Sequence, residues 1–360
     1  MTNKAALPIK IGTKICKNRI TMAPTVKFVA GDDGMVTDDL VRHYEDRAAH
    51  GVGLIVVEAT CVAKDARLSS KQLGLWCDEQ IEGHRRIAEA AHKYGTLIIP
   101  QIHHGGLGTD RECGPKFSPS PVSLEEEEKA IVMSRDDIKT VVNQFTDAAI
   151  RAKKAGYDGV QVHACHGYLI NNFVSDVNCR EDEYGGNVDN KARFGCEIIE
   201  SIRKACGRDF IISARISGAD PSVNDAKHVA ELYVAAGCDY LQVSCGIAKF
   251  DDVPYDESLP YNKIAALGVD MHRYFAGKVP VSTVNGLRTV ESVKYMLDNE
   301  LVDTVDLGCG LLADPAFAEA ILDENDYVKC FSCSSCAFGP KHSHPCPAMR
   351  TRGVNEFGLG

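Results

Sequence analysis

The stretch VQVHACHGYLINNF, residues 160–173, opens like a buried strand and ends with two histidines and a tyrosine. His163 and His166 stand three residues apart, and Tyr168 lies just beyond them. Two imidazoles at this spacing could ligate a metal, although zinc ordinarily takes at least three protein ligands. They could instead give N–H groups to a substrate oxygen, with Tyr168 supplying a proton. Arg215, in DFIISARIS, offers a fixed positive charge where an anion must be stabilised. Gly286, with Gly308 and Gly310, leaves backbone N–H groups free to approach phosphate. A phosphate-bearing cofactor, an arginine facing developing negative charge and a tyrosine acid read together as redox chemistry.

A second constellation lies near the C-terminus. Cys330, Cys333, Cys336 and Cys346 form C-x2-C-x2-C-x9-C. Four thiolates suit zinc or an iron–sulfur cluster. Three ligands in one tight loop with a distant fourth favour [4Fe–4S], since zinc sites come more often as two C-x-x-C pairs. His342 and His344, inside the last spacer, could compete as ligands. Cysteines such as Cys61, Cys165, Cys196 and Cys238 stand alone and read as small buried hydrophobes. The N-terminus, MTNKAALPIKIGTK, shows no apolar core of signal-peptide length. A disulfide framework is therefore not expected, and the protein reads as cytoplasmic.

These residues must be held by regular elements. Eight β-rich runs recur: NRITMAP (18–24), GLIVVEAT (53–60), TLIIPQI (96–102), YDGVQVH (157–163), DFIISARIS (209–217), CDYLQVS (238–244), VPVSTVN (279–285) and VDTVDLG (302–308). Their near-continuous apolar character suggests strands covered on both faces. Helical patterns lie between them. The clearest follows Ser134, which heads a capping box with Asp137. Ile138, Val141, Val142, Phe145, Ala148, Ala149 and Ala152 then form one apolar stripe, and Gly156 ends it. The alternation predicts an α/β fold, a (β/α)8 TIM barrel with a short cysteine-rich extension. A doubly wound sheet is the alternative, weakened because no G-x-G-x-x-G follows an early strand.

In such a barrel, chemistry sits at the C-terminal strand ends. Those ends carry Pro24, Thr25, Val26, Ala59, Thr60, Gln101, His103, His104, His163, His166, Arg215, Ser244, Asn285, Gly286, Gly308 and Cys309. Two excursions exceed ordinary loop length, one at roughly 103–133 and the other the tail after 329. The EEEE run at 125–128 reads as a solvated face.

Composition limits the partners. The chain has 360 residues, enough for one large barrel or two smaller domains, and 44% hydrophobic with 25% charged residues is ordinary for a globular protein. A net charge of −10 argues against nucleic acid or an anionic membrane. No apolar run approaches the roughly 18 residues that span a bilayer.

The segment AGYDGVQVHACHGYLINNFVSDVNCREDEYGGNVDNKARF (155–194) resembles the H-x-x-H-G-Y-L and R-x-D-x-Y-G-G-x-x-x-N-x-x-R-F blocks of the Old Yellow Enzyme family of FMN-dependent ene-reductases. NRITMAP, GLIVVEAT, LGLWCDEQIEGHRRI and LLADPAF match further family blocks, so the likeness covers about residues 5–320. The resemblance implies FMN across the barrel mouth and NAD(P)H as its electron donor. Pro24, Thr25 and Ala59 would line the flavin, and Gln101 would bond its pyrimidine edge. Arg215 would stabilise the reduced, anionic ring, and Gly286, Gly308 and Cys309 would meet the phosphate. His163 and His166 would grip the oxygen of a small activated alkene, an α,β-unsaturated carbonyl or acid, and Tyr168 would protonate it. His103 and His104 stay open between substrate contact and loop packing. Cys309 stands where the family usually has arginine, and Val26 where many members have threonine or cysteine.

The tail is similar to the cluster loop of the branch that includes 2,4-dienoyl-CoA reductase, clostridial enoate reductase and trimethylamine dehydrogenase. Its last spacer is shorter than is typical there. Those relatives continue into two nucleotide-binding domains. This chain is expected to be the FMN-binding barrel, residues 1–329, with a cluster-binding tail, 330–360, and to form a homo-oligomer. A separate electron-transfer protein could feed the cluster. Two other readings stay open: an amine dehydrogenase, or an electron-transfer subunit.

Overall fold

The structure, a computed structural model, describes residues 3–122, 130–250, 253, 255–333 and 346–351. The eight apolar runs all become strands: β1 (Ile20–Met22), β2 (Leu54–Cys61), β3 (Leu97–His103), β4 (Gly159–Ala164), β5 (Ile211–Ser217), β6 (Tyr240–Ser244), β7 (Val281–Val284) and β8 (Thr304–Leu307). Each pairs in parallel with its neighbours in chain order, and β8 closes on β1 to complete a barrel. Helices cover the outside: α1 (Asp38–Ala49), α2 (Ile81–His92), α3 (Arg135–Lys154), α4 (Val188–Cys206), α5 (Val223–Ala235), α6 (Lys263–Phe275), α7 (Val290–Asp298) and α8 (Phe317–Asp323). All eight residues of β2 are buried, as are all of β5, because helices lie on one face and barrel contents on the other.

Local signals hold where they were strongest. Ser134 and Asp137 cap α3 reciprocally, and the predicted stripe is buried except for Val142, which packs partly exposed against the core. Gly156, at φ 92°, turns the chain after the helix. A short hairpin, Ile9–Ile11 with Lys14–Cys16, seals the N-terminal end of the barrel. Its Ile11 packs with Leu54, Val56, Ile99, Ile211 and Tyr240.

The first excursion is tied down by the second half of the family-like segment. Arg180 forks onto Asp182 at 2.9 and 2.6 Å, and its Nη1 also donates to the carbonyls of Pro119 and Met133. A Cβ on Gly185 would lie 2.2 Å from the Arg180 carbonyl oxygen, so that glycine is required by packing. The EEEE run lies outside the described residues. After β8 the chain runs through a short helix, Cys309–Ala313, and α8. Tail residues Cys346, Ala348 and Met349 pack on Ala313, with Val328 and Cys330 alongside. Among the described residues no helix is long and apolar enough to cross a membrane.

Candidate active site

Strand periodicity decides which side chains enter the barrel mouth. On β3 these are Gln101 and His103; on β4, Gln161 and His163; on β5, Ser213 and Arg215. The parallel register sets Gln101 beside Gln161, Gln161 beside Ser213, and His163 beside Arg215. The lower layer is a side-chain ladder: the Gln101 amide donates to Gln161 at 2.8 Å, and the Gln161 amide donates to the Ser213 hydroxyl at 3.1 Å.

The upper layer holds the imidazoles. His166 at φ 61° and Gly167 at φ 76° fold the chain back after β4. The left-handed turn returns the His166 ring to His163, with Nδ1 of the first 3.1 Å from Nε2 of the second. The other nitrogen of His163 lies 3.0 Å from Nδ1 of His103, and Nε2 of His166 lies 2.8 Å from the Ser244 hydroxyl. Tyr168 stands edge-on to His103 and His163, with ring centroids 4.5 and 4.9 Å away. Both ring nitrogens of His163 and His166 therefore have protein partners, and a substrate oxygen must displace one of them. Nε2 of His103 is buried with no hydrogen-bond partner. His103 thus joins the cluster. His104 does not: its Nδ1 accepts from the Gly106 N–H and its ring packs on Phe117.

Electrostatics keep this wall neutral. Burial lowers His103 and His166 to about 3 and His163 well below its ordinary value, with Arg215 adding to the effect on the last two. Burial raises Tyr168, so its hydroxyl keeps its proton at neutral pH.

The opposite wall is built by β1, β7 and β8. A cleft of about 200 Å³ is lined there by Pro24, Thr25, Gly286, Gly308 and Cys309, and it reaches Arg215 and His166 across the mouth. Gly286 sits at φ 77°, and a Cβ added there would approach the Asn262 amide to 2.9 Å. A Cβ on Gly308 would meet only Thr25 Oγ1, at 3.7 Å, so this backbone faces open space. Gly310 differs: its missing Cβ makes room for the Phe317 ring, 2.4 Å from where that atom would stand. Ala59 is buried after a β-bulge between Val57 and Ala59, in register with Gln101.

Sequence reasoning missed two charged residues in this cleft, Arg288 and Asp306. Arg288 lies just beyond Gly286 and brings a cation beside Cys309, where the family pattern would have placed arginine. Asp306 is an acid inside the apolar run VDTVDLG; that anomaly was its signal. Ser244, noted only as a strand end, anchors His166.

A flavin mononucleotide fits these residues on the structure's own terms. Arg215 is buried and its Nε lacks a partner. The glycine cradle is open beside Arg288, and neutral donors line the far side. The cysteine tail lies next door. Cys330, Cys333 and Cys346 line a cavity of about 30 Å³ with Leu312 and Phe331, and Arg288 and Cys309 line both this cavity and the cleft. Cys336, His342 and His344 lie outside the described residues. Among the described residues, the metal-type ligand atoms that gather within 4.8 Å of one another are those of His163, Cys165 and His166.

Residues 7–325 match the model of the NADH:flavin oxidoreductase / NADH oxidase family. The chain is 33% identical over 351 residues to an NADH oxidase of Thermoanaerobacter brockii, a match covering 92% of this chain and 52% of that protein. It is 33% identical over 326 residues to an NADPH dehydrogenase of Bacillus subtilis, covering 88% and 94%. It thus spans about half of the first relative and nearly all of the second. The solved old yellow enzyme homologue from Zymomonas mobilis superposes with a TM-score of 0.77 at 26% identity, covering 90% of this chain and 94% of that one. With the barrel, the glycine-and-arginine cleft and the His–Tyr wall in place, the chain belongs to this NADH:flavin oxidoreductase family, the Old Yellow Enzyme family of FMN-dependent enzymes.

Proposed function

We propose that the protein reduces an activated C=C bond, in an α,β-unsaturated carbonyl or acid, with NAD(P)H as the source of electrons. The observation that carries this reading is the neutral imidazole wall with a protonated tyrosine against it, its His166 reaching the cleft. FMN held by Arg215, Arg288, Gly286, Gly308, Pro24 and Thr25 would supply the hydride. His163 and His166 would donate N–H groups to the substrate oxygen. Because both imidazoles are neutral, they gain most when that oxygen becomes negative, which is differential transition-state binding. Ser244 would then take up the orientation of His166, and His103 that of His163. Tyr168 would place its proton on the α-carbon, completing the reduction. The test is anaerobic reoxidation of the reduced protein with enones, enoates and nitroalkenes. If none of these reoxidises it faster than buffer, the reading fails.

A second reading concerns the tail. Cys330, Cys333, Cys336 and Cys346 would hold a [4Fe–4S] cluster, making an electron entry point from a separate protein. It is supported by three of these thiols lining one cavity that shares Arg288 and Cys309 with the cleft. Cys333→Ser should remove most iron and leave FMN in place. Stoichiometric zinc without iron in anaerobic preparations would overturn it.

A further inference from the structure

Asp306 is the inward-facing acid of β8 and is 1% exposed. Three strands meet its carboxylate. From β7, the Ser282 hydroxyl donates to Oδ2 at 2.5 Å. From β6, the Tyr240 hydroxyl lies 3.4 Å from Oδ1 while sharing a 2.7 Å bond with Thr304. The Gln242 amide stands alongside, and the charge of Arg215 on β5 acts on the same group. Arg215 and Tyr240 are the charged and titratable groups acting most strongly on it, and Arg288, His166, Cys245 and Cys309 line the same cleft. Burial pushes Tyr240 well above its ordinary value, so its hydroxyl stays neutral. Asp306 and Arg215 line one cleft, shared with Pro24 and Gly308. For Asp306, burial outweighs Ser282 and Arg215 and raises the carboxyl to about 7, so neither protonation state is remote near neutral pH.

We propose that Asp306 is the electrostatic counterweight to Arg215, taking up a proton when the flavin in this cleft is reduced and releasing it on reoxidation. The inference rests on the reading of the cleft as the FMN site. The balance is simple. Oxidation of NAD(P)H delivers two electrons and one proton to the flavin as hydride, and the flavin gains one negative charge. Asp306 takes a further proton from solvent, forming its own O–H bond, so the net charge beside Arg215 changes little. With the carboxylate ionised, the guanidinium is offset and the oxidised flavin is favoured. With the carboxyl neutral, the full charge of Arg215 favours the reduced form. Asp306 is therefore a positioning residue for charge, acting through Arg215 and touching no reacting atom.

The test is the midpoint potential of the FMN-loaded full chain between about pH 6 and 8, titrated against reference dyes. One proton per two electrons makes the equilibrium constant change tenfold per pH unit, about 30 mV; two protons double this to about 59 mV. The parent should exceed the tenfold slope. Asp306→Asn should hold to it, with a higher potential than the parent at pH 8. Ser282→Ala removes a bond that favours the carboxylate, so it should move the break in slope to higher pH. Equal slopes in parent and Asp306→Asn overturn the proposal with FMN binding intact. If Asp306→Asn retains no flavin, Ser282→Ala decides, and an unmoved break is the overturning result. A parent chain that binds no flavin overturns both this inference and the reading beneath it.

Discussion

The two walls of the barrel mouth solve different problems. The β3–β4 wall is nearly finished: each nitrogen of His163 and His166 has a protein partner, Tyr168 is wedged edge-on against the rings, and only the buried Nε2 of His103 is left without one. The β7–β8 wall is unfinished: Gly308 faces open space, and Arg215 across the mouth has an unpartnered Nε. A neutral wall whose gripping imidazoles already have partners suits transient contact with a small substrate, because it costs little when no substrate is present. An open cradle with cations beside it suits a group that stays bound, because that group supplies the missing partners.

The sharpest way to break this comparison is Tyr168→Phe. If the β3–β4 wall does the protonation, the oxidative half-reaction should slow by about 10²–10⁴-fold, while reduction by NAD(P)H stays near the parent rate. Stopped-flow traces of both half-reactions decide this, and His103 becomes the next candidate if reoxidation is unchanged. The paired change His163→Ala with His166→Ala should come next in size. Each lost bond to a charged oxygen costs roughly 1.5–3 kcal/mol, so phenolate binding and hydride transfer should both weaken. Flavin content should change far less than substrate binding, because of the two only His166 reaches the cleft, from across the mouth.

Arg288→Gln attacks the unfinished wall. Losing a charge-assisted contact should weaken FMN retention by roughly 10- to 100-fold, read by dialysis and fluorescence, with the weakening reduced at high salt. Substrate affinity in the fully loaded protein should stay near the parent value. An unchanged FMN affinity would mean that backbone N–H groups alone hold the phosphate.

The smallest effect concerns pH. Burial lowers His84, His103 and His104 to about 4, 3 and 3, and it also lowers His163 and His166. Their folded values lie below the unfolded one, near 6.5, so the unfolded chain binds more protons as pH falls. Their stability contribution is present above about pH 6.5 and is lost progressively below it. Buried Glu58 and Asp306, both raised to about 7, act in the opposite sense and lose their contribution as pH rises towards 7. Five histidines outnumber two acids, so melting temperature should drop from pH 6.5 to 5. His103→Gln should lessen that dependence by about one proton, or about 1.4 kcal/mol per pH unit. An unchanged slope would mean that His103 is already protonated in the folded protein.

How much of this was legible beforehand varies with the kind of signal. The eight strands were readable because a parallel strand buried on both faces is apolar along its length, and the cap of α3 because Ser134 and Asp137 act within one turn. The H-x-x-H-G-Y spacing pointed to the imidazole wall, and the glycines at 286 and 308 to the open cleft. That Gly310 also makes room for Phe317 was not legible, because this packing partner lies on another helix. Arg288 was missed because no local pattern separates a surface arginine from one lining a cleft, and Asp306 because its one signal, an acid inside an apolar run, does not say which groups it faces.

What the sequence determined by itself is short-range: strand and helix alternation, the capping box, and three side chains on one strand end with the chemistry to handle an oxygen and a proton. What only the tertiary structure decided is which groups share a space. His103 meets His163, Ser244 meets His166, and Asp306 meets Ser282 and the field of Arg215. These partners are 24 to 91 residues apart, and only the closed barrel with its fixed register brings them within hydrogen-bonding reach or electrostatic range. Burial in that same space then sets their protonation, because desolvation is a property of the surroundings and not of the residue.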